Sequence, residues 1–135
     1  MNTVLEGMSL MLVARFFVLV FFAILFLQSS LDKIFDRKGN LDYFAQQFSK
    51  SPLKNFSALL LSVMLLLEFS SGIFCLLGSA VIWIDYARIG VIGLLLSCLS
   101  LLCLFFGQRL AKDYAGAVSI ATYFVLAILG LVLFS

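Results

Sequence analysis

Residues 55–84 read NFSALLLSVMLLLEFSSGIFCLLGSAVIWI, an almost unbroken apolar run with one acid, Glu68, near its centre. About 20 apolar residues suffice to cross the roughly 30 Å hydrocarbon core of a bilayer, so this run spans it with residues to spare. The excess implies tilt or an overhang into the interface. Lipid offers the backbone no water, so each peptide group must pair within its own segment. The run lacks the polar–apolar alternation of a barrel strand and is therefore read as a helix.

Working outward, three similar runs occupy about residues 10–33, 87–106 and 114–134. Short connections make neighbouring helices antiparallel. The expected fold is an all-α membrane protein, a four-transmembrane-helix up-down bundle forming one domain over residues 1–135. Between the first two spans, Leu41, Phe44, Ala45 and Phe48 recur at helical spacing, with Asp42, Gln46 and Gln47 opposite. That spacing predicts a short amphipathic helix lying in the interface. Pro52 either stops it or opens the next span. The aromatic turn Trp83-Ile84-Asp85-Tyr86 suits the level of the lipid headgroups. Before Arg15 the chain carries one acid, Glu6, and no base, and no A-x-A-like site follows Leu27. The first run is therefore expected to be a retained span rather than a cleaved signal.

Composition agrees. Of the 135 residues 64% are hydrophobic and 12% charged, against about half and about a quarter in soluble domains. The net charge of +2 is too small to imply nucleic acid. There is no histidine, which removes most catalytic zinc sites, His-ligated haem and the Ser-His and Cys-His nucleophile pairs. No haem or metal is expected, and the chain is not expected to be an enzyme on its own. Cys75, Cys98 and Cys103 lie in apolar runs and read as small hydrophobes. Lys33, Arg37, Lys38, Lys50, Lys54, Arg109 and Lys112 fall in the first and third loops, against Arg15 and Arg88 on the other side. The positive-inside rule then puts these two loops in the cytoplasm and both termini outside.

Glu68 is the most informative residue. A carboxyl at that depth costs at least about 2.5–3.5 kcal/mol to insert, so it should face the bundle interior. Counting depth at 1.5 Å per residue places Tyr123, Thr122 and Ser119 of span four, and Ser97, Cys98 and Ser100 of span three, near its level. Arg15 lies further outward, within reach of a long side chain. Gln28 and Asp32, four apart, share a helix face and, with Lys33, are read either as a polar helix end or as the mouth of the same cavity. The candidate ligand or proton site is thus Glu68, Arg15, Gln28, Lys33, Tyr123 and Ser97. The alternative is an interhelical contact that only fixes packing. Arg109, Lys112, Asp113 and Tyr114 read as positive-inside charge or as a patch for an anionic headgroup or partner subunit. Small residues mark helix contacts: Ser71, Gly72, Cys75 and Gly78 on span two, Gly90 and Gly93 on span three, Ala111, Ala115 and Ser119 on span four.

Several of these features together resemble the DoxX family of small bacterial four-helix membrane proteins. Arg15-Phe16-Phe17 opens span one. Ser30-Leu31-Asp32-Lys33-Ile34-Phe35-Asp36 is similar to the family's G-x-x-K-[LI]-F-D ending, with Ser30 in place of the glycine. Ser51-Pro52 and then Glu68-Phe69-Ser70-Ser71-Gly72 follow, the latter similar to the family's E-x-x-x-G. Carried over by position, Lys33, Glu68 and Gly72 match. The resemblance implies an accessory subunit of a quinone- or thiosulfate-related redox complex, with quinone or lipid as the expected ligand. The expected partners are the bilayer and other membrane subunits or further copies of the chain. A small proton-coupled transporter and a structural assembly factor are the alternatives.

Overall fold

The computed structural model describes residues 10–135, so Glu6 and the segment before the first span lie outside the described residues. The described chain is helical, with five α-helices and no strand among the described residues. They are α1 (Leu10–Phe35), α2 (Arg37–Gln47), α3 (Ser57–Val81), α4 (Arg88–Leu110) and α5 (Tyr114–Leu133). A single 3-10 turn, Ile82–Ile84, extends α3. α1, α3 with its extension, α4 and α5 are each long and apolar enough to cross a bilayer. The chain is a multi-pass membrane protein built as a four-helix bundle.

The outer surface follows from lipid as the solvent. Phe17, Leu66, Val118 and Val125 are exposed along the spans, where an apolar side chain meets acyl chains. The interior is narrower. On α3 the buried residues Leu61, Met64, Glu68, Ser71, Gly72, Cys75, Gly78 and Ser79 form one stripe at three- and four-residue spacing. α1 answers with Leu19, Phe22, Ala23, Phe26, Ser30 and Lys33, and α4 with Gly90, Gly93, Leu94, Ser97, Ser100 and Leu101. α5 is more peripheral, burying Ala117, Ala127 and Gly130.

Glycines set the closest approach. A Cβ on Gly78 would lie 2.5 Å from the Gly90 Cα, and one on Gly93 would lie 2.8 Å from the Cys75 backbone nitrogen. Of the expected small residues, Ser71, Cys75 and Gly78 on span two and Gly90 and Gly93 on span three therefore meet at the α3–α4 interface, whereas Gly72 packs on Leu27 of α1. The stripe on span four differs: Ala115 and Ser119 are exposed, and Ala117, two residues along, turns inward instead. Two residues on a helix is about 200° of rotation, so the small-residue spacing alone did not fix which face packs.

The ends of the bundle are tied separately. At one end the Arg15 Nε donates to the Leu133 carbonyl at 2.6 Å, with its guanidinium 5.0 Å over the Phe134 ring. Phe16 meets Trp83 at 5.1 Å between ring centroids. At the other end the Gln47 Nε2 donates to Asp113 Oδ2 at 3.3 Å, joining the two basic turns.

Helix boundaries move where side chains cap. Asp36 accepts from the Gly39 N–H and starts α2 at Arg37 rather than near Leu41. The early start adds Arg37, Lys38, Gly39 and Asn40 around the axis, so the helix is less two-sided than residues 41–49 imply. It contains no buried residue, and Phe48, just beyond its end, supplies the buried anchor. α4 runs on through Gly107 and Gln108 to Leu110, and Lys112 at φ 60° makes the left-handed turn that follows. Asp113 then caps α5 by accepting from the Gly116 N–H at 3.0 Å.

Gly78→Val should lower thermal stability in detergent by about 1–3 kcal/mol, the usual cost of overpacking. Ala115→Val on the exposed face should stay within about 0.5 kcal/mol. Equal losses would mean that α3 and α4 do not meet at Gly78.

Candidate functional site

Glu68 faces inward as its cost in lipid requires, and is 1% exposed. Its partner is Lys33: the Nζ lies 3.1 Å from Glu68 Oε2 and also donates to Ser29 Oγ at 2.8 Å. The pairing follows from helix direction. Side chains lean toward the N-terminus of their own helix. α1 and α3 are antiparallel, so Lys33 leans from its helix end toward mid-membrane while Glu68 leans from mid-membrane toward that end. They meet between the two Cα levels. Depth counting on Cα positions does not show this direct contact, since it places Lys33 at the helix end, at most at the mouth of the cavity.

One turn further along, Gly72 sits on Leu27: a Cβ there would lie 2.7 Å from Leu27 Cγ. Ser30 is fully buried and donates back to the Leu27 carbonyl at 3.0 Å. The hydroxyl is thus satisfied within its own helix, and a serine at this position leaves α1 able to pack. Lys33, Glu68 and Gly72 therefore lie at a single α1–α3 junction.

Beside the pair is a chamber of about 90 Å³, to which Glu68, Ser29 and Tyr123 contribute the polar side chains. Leu25, Phe26, Leu101, Leu104 and Ile120 complete its wall. That volume holds a few waters. It falls well below the roughly 300–1,000 Å³ of sites for drug-sized ligands. A quinone ring with its tail does not fit beside Glu68.

The other candidate residues separate. Tyr123 reaches the chamber, as depth counting suggests. Ser97 does not: it donates to the Gly93 carbonyl at 2.7 Å and faces Cys75 Sγ at 3.6 Å. Ser71 and Ser100 pair at 3.0 Å in the same α3–α4 seam. These hydroxyls mend a helix interface rather than surround the acid. Arg15 is about 27 Å along α1 from Lys33, engaged with the end of α5, and no part of the layer around Glu68. Gln28 and Asp32 share a face, but it is an exposed one, turned from the chamber. Thr122 and Ser119 are exposed as well. Arg109 stacks over the Tyr114 ring at 4.8 Å. Comparison with protein-family models, with curated proteins and with solved structures gives no match for this chain.

Removing one partner of a buried ion pair strands the other and typically costs about 3–5 kcal/mol, whereas replacing both by apolar groups is often neutral. Lys33→Met alone should therefore destabilise strongly. Lys33→Met with Glu68→Leu should regain most of the loss in thermal melts. Purely additive losses would show that the two side chains do not interact.

Proposed function

We propose that the chain is a DoxX-like accessory subunit of a redox-linked membrane complex, quinone- or thiosulfate-related, in a bacterial inner membrane. The carrying observation is convergence. The positions that match the family pattern, Lys33 on α1 and Glu68 and Gly72 one turn apart on α3, form one junction beside a polar intramembrane chamber. A buried charge pair at an intramembrane cavity is a functional feature more often than an accident, because of what it costs in lipid. In this reading the chamber takes water or a small polar solute, and any quinone of the complex is met outside it. The excess of Lys and Arg at the end carrying α2 supports that end facing the cytoplasm, with both termini outside.

A small proton-coupled transporter is the second reading. It is favoured by the chamber at the side of an intramembrane carboxylate, with the Tyr123 side chain across it. A structural assembly factor is the third, favoured by the completeness of the Lys33–Glu68 pair.

Purification in mild detergent, followed by extraction and mass spectrometry, should recover a co-purifying membrane subunit or a bound quinone or lipid. Recovery of none of these would sink the accessory-subunit reading. Proton flux into liposomes that is lost in Glu68→Gln and kept in Arg109→Ala would establish the transporter instead. Glu68→Gln that alters stability alone, with ligand retention and flux unchanged, would leave the assembly factor.

A further inference from the structure

A second cavity, of about 300 Å³, lies between α2 with its following turn and the basic-end halves of α3 and α4. Its size reaches the range of ligand sites, more than the Glu68 chamber does. The Phe44, Phe48 and Phe106 rings line it, with Phe44 and Phe48 at 5.9 Å between centroids in an edge-to-face pair. Gly107 makes room for this arrangement, since a Cβ there would lie 3.3 Å from the Phe48 ring. No Lys, Arg, Asp or Glu lines the cavity. Its polar side chains include Gln47 and Gln108, two neutral amides at the end where the basic turns gather. Gln47 is already committed to Asp113. Gln108 is not: its Oε1 is buried with no hydrogen-bond partner among the described residues. A buried acceptor left unpaired is unfavourable, and a half-turn of the amide presents either its oxygen or its NH₂.

We propose that this groove binds an uncharged membrane amphiphile, with a slender or flat apolar body against the aromatic walls and a carbonyl or hydroxyl head at the Gln108 amide. Each part of the ligand follows from a part of the groove. The absence of charge in the lining excludes a head that brings a full charge with it, because that charge would lose its hydration with no counter-ion. The aromatic rings suit a planar or extended apolar body. The position beside α2 puts the head at the depth where membrane amphiphiles carry theirs. Leu104 lines both this groove and the Glu68 chamber, and Met64, one turn from Glu68, lines the groove. The ligand therefore rests against the outer wall of the chamber without entering it. The site stands whether or not the Glu68 chamber serves a redox complex.

The test is native mass spectrometry of the full chain in detergent with three probes: a short-tailed benzoquinone, a monoacylglycerol and phosphatidylglycerol. One neutral probe molecule should stay bound per chain. Retention of the benzoquinone alone identifies a carbonyl ring as the source of the head, and retention of the monoacylglycerol alone identifies a hydroxyl. Val63 lines the groove yet is half exposed, so Val63→Trp should plug it and abolish binding without disturbing the core. Gln108→Leu should weaken the neutral probe by about fivefold, the value of one hydrogen bond. Leu95→Trp, on a lipid-facing part of α4 away from the groove, should change nothing, with circular-dichroism melts reporting the fold of each variant. Undiminished binding in Val63→Trp, equal affinity in folded Gln108→Leu, or retention of phosphatidylglycerol alone would each overturn the proposal.

Discussion

A carboxylate inside a bilayer must bring its partner with it, and the Lys33 ammonium 3.1 Å from Glu68 Oε2 is that partner. The pair constrains more than two side chains. It fixes how far α1 slides along α3, and Gly72 on Leu27 is the same register read one turn on. It also decides which face of each helix points inward, because the buried stripes of α1 and α3 are those that contain Lys33 and Glu68. Neutral hydroxyl contacts, Ser71 to Ser100 and Cys75 to Ser97, do for α3 and α4 what the ion pair does for α1 and α3, at lower stakes.

The bundle is organised unequally along its length. One end is closed by apolar and cation–aromatic contacts, Phe16 on Trp83 and Arg15 over Phe134. The other holds the charge pair, the polar chamber, the α2 helix and the aromatic groove. Leu104 stands between the two cavities. The charge pair and both cavities thereby lie toward the end of the bundle that carries the basic loops, where long cationic side chains reach the headgroups at little cost.

Much of this was legible in the residues. Four long apolar runs forced four helices, and Glu68 had to face inward because lipid gives a carboxyl nowhere else to go. Tyr123 could be placed by counting rise. Counting failed where side-chain direction mattered. Lys33 is near a helix end, yet its side chain runs back toward mid-membrane to meet an acid leaning the other way. Ser97 shares a depth with the site but is turned about the helix axis into the seam with Cys75, and Gln28 is turned out to lipid. Arg15 has the reach to travel inward, but the Leu133 carbonyl at its own level takes its hydrogen bond first.

The sequence by itself therefore determined solvent and topology. Hydropathy sets where the chain must be helical, and the positions of Lys and Arg set where it must turn, and both are properties of a segment and its surroundings in lipid. Only the tertiary structure decided which polar groups meet. Rotation about each helix axis, the lean of each side chain and the close approach allowed at Gly78, Gly90 and Gly93 are joint properties of several helices. The aromatic groove belongs wholly to that second class. It exists because Phe48, just past the end of α2, lies across Gly107 of α4, 59 positions further along the chain, and no local pattern in either segment encodes that contact.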